Sequence, residues 1–146
     1  MMRLVCVPLL MLVAGCGAYP RDTQGTLNRV EQTRLLRVGL ANLDPADVDT
    51  AKSYIARLER QTGAKAQVTS GGSERLLARL EAGDLDLVLG DFAEDSPWLA
   101  SVALIEPLTT RTVGERMIGL APVTANGENR WVALLERTVR DMEERP

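Results

Sequence analysis

Apolar residues along this chain change their spacing repeatedly, and each change marks an element. Leu4 to Ala14 form an unbroken apolar run that includes Pro8, whereas residues 17–25 are mostly polar or glycine. Thr26 is placed to cap a short helix reaching Glu31, and Leu35-Leu36-Arg37-Val38-Gly39-Leu40 reads as a buried strand. Asn42-Leu43-Asp44-Pro45 is a helix start, because Asp44 offers a capping carboxylate and Pro45 suits the first helical position. Val48, Ala51, Ile55 and Leu58 follow at helical spacing, and Gly63 is the expected stop.

The same unit then recurs. Ala66 to Thr69 predicts a short strand and Ser70-Gly71-Gly72-Ser73 a turn. Ser73 is placed to cap a helix carrying Leu76, Leu77 and Leu80, which Gly83 ends before the strand Leu85 to Gly90. Alternating strands and helices with short connections predict an α/β fold. The expected form is a three-layer sandwich about a mostly parallel sheet, order 2-1-3 plus an antiparallel strand. Beyond Asp91 the pattern loosens. Phe92 to Pro97 reads as a polar loop, Val102 to Ile105 as a short strand or bridging segment, and Arg116 to Ala121 as a further strand. From about Gly127 a last helix carries Trp131, Leu134, Leu135, Val139 and Met142 on one face.

The N-terminal apolar run is well short of the roughly 20 residues a membrane-spanning helix needs, so it reads as a signal-peptide core behind Arg3. Its end, Val13-Ala14-Gly15-Cys16, resembles the lipobox of bacterial lipoproteins. That resemblance implies cleavage before Cys16 and diacylglycerol, with palmitate-type chains, on its thiol. The chain then divides into a signal peptide at 1–15, a lipidated tether at 16–25 and one domain at 26–146.

Loss of Arg3 leaves 16 basic side chains against 20 acidic, a formal charge of −4 that gives nucleic acid no basic face to bind. Cys16 becomes the sole cysteine, so no internal disulfide is available. The chain has no histidine, which removes the commonest general base and metal ligand. Lys52 and Lys65, the only lysines, stand beside no nucleophile in a recognisable motif. No carboxylate cluster reads as a calcium loop. Neither enzyme chemistry, metal nor cofactor is expected.

Gly25-Thr26-Leu27, the Leu36-Arg37-Val38-Gly39-Leu40 strand, and Glu74-Arg75-Leu76-Leu77 leading through Gly83-Asp84 to Leu85-Asp86-Leu87-Val88-Leu89-Gly90 resemble the first lobe of periplasmic solute-binding proteins of ABC transporters, the amino-acid-binding family 3 type. Met117 to Ala121 and the helix after Gly127 resemble the segment by which such chains return to that lobe. The resemblance implies one lobe of a type II periplasmic binding protein, a small-molecule ligand, and an ABC permease or a second lobe-bearing protein as partner. Family members insert a second lobe after the third strand; only residues 92–115 are available for it here. Members that bind amino acids also clamp the ligand carboxylate with an arginine shortly after that strand, and Ala93-Glu94-Asp95-Ser96-Pro97-Trp98 contains none.

A parallel sheet binds ligands at the carboxyl ends of its strands. That rule selects Asn42, Ser70, Gly71, Gly72, Ser73, Gly90 and Asp91 as a candidate rim, with Trp98 close by. Ser70 to Ser73 either present N–H groups and hydroxyls to a carboxylate or phosphate, or form a simple capped turn. Asp91 either meets a cationic group or is an exposed loop-end acid, and Trp98 either stacks on a ligand or packs across the open face. The two functional expectations are a lipid-anchored, periplasmic-side solute-binding domain and, alternatively, an interaction lipoprotein that keeps the lobe without its ligand.

Overall fold

The computed structural model describes residues 22–93 and 97–144, with Trp98 and Leu99 described by backbone alone. Along the chain run α1 (Thr26–Thr33), β1 (Leu35–Ala41), a 3-10 turn (Pro45–Asp47), α2 (Val48–Thr62), β2 (Lys65–Gly71) and α3 (Ser73–Glu81). β3 (Leu87–Ala93), a second 3-10 turn (Pro97–Ala100), β4 (Val102–Leu104), β5 (Thr109–Val113), β6 (Arg116–Ala125) and α4 (Asn129–Glu143) complete it. The sheet order is β2-β1-β3-β6-β4, with β5 also paired to β6. β2, β1 and β3 are parallel, Val38 standing opposite both Val68 and Leu87. β6 runs antiparallel to β3, as expected for the added strand, and β4 and β5 are antiparallel to β6 in turn.

Two apolar layers sandwich this sheet. On one face α1, α2 and α4 pack Leu27, Val30, Tyr54, Leu58, Trp131 and Leu135 onto Leu36, Val38, Leu87, Leu89 and Leu120. On the other, α3 alone packs Leu76, Leu77 and Leu80 onto Val88, Ala121 and Val123. The third strand is buried on both faces because helices cover both, which explains its near-continuous apolar run. The helices of the crowded face are tied directly: Tyr54 Oη donates to the Leu135 carbonyl at 3.1 Å and Arg57 to the Asp141 carbonyl at 2.7 Å. Burial raises the Tyr54 phenol far above its ordinary range, so it stays a neutral donor at any physiological pH.

Local chemistry accounts for most boundaries. Asp44 caps the first 3-10 turn by accepting from Ala46 N at 2.9 Å, and Gly63 ends α2 at φ 67 with its N–H on the Glu59 carbonyl. The turn before α3 differs from expectation. β2 runs on to Gly71, Gly72 occupies the cap position, and Ser73 is the first helical residue. Ser73 therefore does not cap; its Oγ accepts from Asn42 Nδ2 at 3.1 Å.

β3 also extends beyond expectation, taking in Asp91, Phe92 and Ala93. Phe92, expected in a polar loop, is instead buried beneath the α3 face, where β6 supplies the pairing that carries the strand onward. Thr109 to Val113 form an unanticipated strand that turns at Gly114 into β6. Residues 92–115 thus form the end of β3, β4 and most of a hairpin. Pro122 lies within β6 opposite Leu89 of β3, and its carbonyl turns to the other side and accepts from Ile105 N, just past β4, at 2.9 Å. The missing proline N–H would point to that same side, away from β3, so the β3–β6 ladder loses no bond.

Candidate functional site

At the carboxyl ends of β1 and β2 lies an open basin of about 630 Å³ lined by Asn42, Gly72, Ser73, Glu74 and Arg75. Asn42 follows β1 in the left-handed region (φ 47), a conformation that asparagine tolerates better than most residues. This bend turns its amide towards α3 and onto Ser73. The first intrahelical donor of α3 is Leu76 N, bonded to the Gly72 carbonyl at 3.1 Å. The N–H groups of Ser73, Glu74 and Arg75 are those a helix leaves without internal partners, and among the described residues no side chain caps them. Three donors and the positive end of the helix therefore border one basin, which Arg75 and the oppositely charged Glu74 also line. That arrangement suits a carboxylate or similar small anion.

The eight rim residues do not all meet there. Asn42, Gly72 and Ser73 line the basin; Ser70 and Gly71 are the last two residues of β2 beside it. Gly90 lies in β3, opposite Ala41, and a Cβ on it would stand 2.6 Å from the Ala41 carbonyl oxygen. Its small size serves strand packing. The Trp98 backbone belongs to the second 3-10 turn, but its side chain and Cys16 lie outside the described residues.

Asp91 points to the opposite face of the sheet, where it is neither exposed nor free. Its carboxylate accepts from Arg111 at 2.6 Å and from Asp44 N at 3.1 Å. Arg111 also pairs with Asp47 at 2.7 Å and approaches Asp44 at 3.7 Å, while Thr109 Oγ donates to Asp47 at 2.8 Å. One guanidinium thus joins the β5–β6 hairpin to the start of α2 and the end of β3. Asp47 and Asp91 are only 9% and 10% exposed, so they are the dry side of this contact. No local pattern signals it, because Arg111 faces Asp91 only once β5 pairs with β6 in this register.

The hydrogen bond to Asp91 is the leading cause that raises the Arg111 pKa, with the charges of Asp91, Asp44 and Asp47 adding to it against partial burial. A raised basic pKa gives stability that is fully present below the unfolded value, so the clasp holds throughout physiological pH. Arg111→Met is expected to lower the urea midpoint at pH 7. The two nearly buried carboxylates of Asp47 and Asp91 then lose their shared cation. A midpoint unchanged from wild type would show that the clasp contributes nothing to stability.

Below the β5–β6 hairpin, Phe92, Leu104, Pro107, Met117 and Ala121 line a smaller apolar pocket of about 160 Å³. Among the described residues no group of three or more acidic, histidine or cysteine side chains is placed to hold a metal. Among the same residues no helix is long and apolar enough to cross a membrane.

No protein-family model and no curated protein matches the chain. Solved structures do. A single-residue variant of the arginine-bound form of domain 1 from TmArgBP superposes with a TM-score of 0.66 at 17% identity, covering 81% of this chain and 98% of that one. An ancestral cationic amino acid solute-binding protein gives 0.64 at 12% identity, covering 82% and 94%. An ancestral cyclohexadienyl dehydratase gives 0.64 at 11% identity, covering 81% and 90%. At these identities the likeness defines the fold: one lobe of a periplasmic binding protein.

Proposed function

We propose that this chain is a non-catalytic solute-binding domain that takes a small carboxylate-bearing ligand in the basin at the start of α3. The observation that carries this reading is the uncapped N-terminus of α3, open beside Asn42 and Arg75. Fold likeness supports the same class. The TmArgBP structure is described as an arginine-bound domain 1, so a single domain of this fold can carry an amino acid. Asn42, Gly72 and Ser73 are assigned to ligand contact, with Ser70 and Gly71 at the margin. Gly90 and Asp91 are given structural roles instead. Nucleic acid is not a partner on this reading.

The lipobox-like Val13-Ala14-Gly15-Cys16 supports cleavage after residue 15 and a lipid anchor on Cys16. The domain would then stand on the periplasmic side of the bacterial envelope, held to the inner or outer membrane. It would act as the binding component for an ABC permease, or together with a protein that brings a second lobe.

A thermal-shift screen of the unlipidated mature chain tests ligand binding. A true ligand at a hundredfold excess over Kd stabilises by about 2.7 kcal/mol, enough to move the melt by several degrees. Amino acids and small organic acids are the first compounds to try, and Asn42→Ala should reduce any shift. A flat melt across the panel would favour the interaction lipoprotein, a reading supported by the engagement of Asp91 with Arg111 and by the hairpin that stands where a second lobe would begin.

A further inference from the structure

The start of the described chain is fastened to one end of the sheet. Glu128 is fully buried, and its carboxylate accepts from the backbone N–H groups of Gln24 and Thr26, the latter at 2.8 Å. Asp22 accepts from Arg130 N at 2.6 Å, and Thr23 bonds the Gly127 carbonyl through both its N–H and its hydroxyl. Residues 22–25, expected to belong to a free tether, are therefore part of the fold. Gly127, Glu128 and Arg130 follow β6 where it passes the amino end of β3: Val123 stands opposite Val88, and Thr124 Oγ donates to the Asp86 carbonyl. The basin lies at the other end, behind Ala41 and Gly71.

We infer that the lipid anchor holds the domain with its basin turned away from the bilayer. This rests on the anchor proposed above. From Cys16 to Asp22 are six residue steps, which span at most about 20–22 Å when fully extended. β1 makes six rises between Leu35 and Ala41, roughly 20 Å, and the basin residues Asn42 and Ser73 lie beyond its far end. To turn the basin onto the membrane, the tether would have to run the whole length of the domain from its fastened end, stretched to its limit. A flexible tether of six steps typically spans only about 12–15 Å, so the fastened end stays nearer the bilayer. The basin opens into the aqueous compartment, so a solute or a protein bringing a second lobe reaches it from solution.

The orientation is measurable without relying on native lipidation. The mature chain is coupled through the Cys16 thiol to a maleimide lipid in phosphatidylcholine vesicles. A fluorophore is attached to azidophenylalanine at position 126 or, separately, at position 70; both sites are exposed. A headgroup-bound quencher should dim the position-126 probe at least threefold more than the position-70 probe. Lengthening the tether by about twenty Gly-Ser residues after Gly17 should erase much of that difference. Equal or stronger quenching at position 70 with the native tether would overturn the inference. Lipid on Cys16 in cells is read separately from the mass of the N-terminal peptide, so failure of the anchor and failure of the orientation give different results.

Discussion

Replacing Asp86 with alanine is expected to lower stability by roughly 3–5 kcal/mol, the usual cost of removing one partner from a buried ion pair. The side chain is about 1% exposed and engages two arginines at once. Its Oδ2 accepts from Arg37 N at 2.8 Å and from Arg37 Nε at 3.2 Å; its Oδ1 accepts from Arg37 Nη2 at 2.7 Å and also from Arg29. The Asp86 carbonyl accepts from Trp131 Nε1 at 2.9 Å and from Thr124 Oγ. A single residue at the entrance to β3 thereby gathers α1, β1, β6 and α4. Alanine keeps the carbonyl contacts and deletes the carboxylate, leaving two guanidinium groups and a backbone N–H without their acceptor. For a domain whose total stability is of the order of 5–15 kcal/mol, that loss is a large share.

The Asp86 contact also sets a sign. Its hydrogen bond is the leading cause that raises the Arg37 pKa, against the opposing effect of burial. A raised basic pKa contributes stability below the unfolded value and loses it only on passing above the arginine range. The Asp86→Ala deficit should therefore persist through mildly alkaline solution. Urea unfolding at pH 6 and pH 9 checks this. An unfolding free energy within about 0.5 kcal/mol of wild type would show that solvent satisfies the two arginines unaided.

Cys16→Ala should have an all-or-none effect. The thiol is the only acceptor for lipid near the cleavage site, and alanine offers no nucleophile. The full-length precursor should accumulate without incorporating labelled palmitate, and no processed, lipid-bearing form should remain. Cys6→Ala is the control: it lies inside the apolar run and should be processed normally. Normal maturation of Cys16→Ala would dismiss the lipobox assignment. The ligand proposal would survive, because the basin is built from residues beyond position 41.

Most of the fold was legible where local spacing and burial agreed. The Asp44-Pro45 start, the Gly63 stop and the apolar stripes of α2, α3 and α4 are short-range signals, and each reappears in the structure. The β1-α2-β2-α3-β3 order follows because short connections between strands and helices leave few topologies. β5 was not legible. Thr109-Thr110-Arg111-Thr112-Val113 has no apolar alternation, since it lies at the margin of the sheet and its residues are exposed or half-buried. The polar reading of Phe92 failed for the complementary reason: burial beneath the α3 face depends on β6, which arrives more than twenty residues later.

The candidate site divides along the same line. The carboxyl-end rule found Asn42, Gly72 and Ser73, because chain order alone places the turns after β1 and β2 side by side. It did not find that alternation along β3 sends Asp91 to the other face, or that Arg111 would meet it there. The sequence by itself determined the α/β class, the apolar faces of the helices, the lipobox-like end and the lack of histidine, because each rests on residue types and spacings within a few positions. Only the tertiary structure decided which polar groups are already satisfied, where the chain is fastened, and which end of the sheet remains open. Those are properties of contacts across 20 to more than 100 residues of sequence, as with Arg111 to Asp91 and Gln24 to Glu128, and no local pattern encodes them.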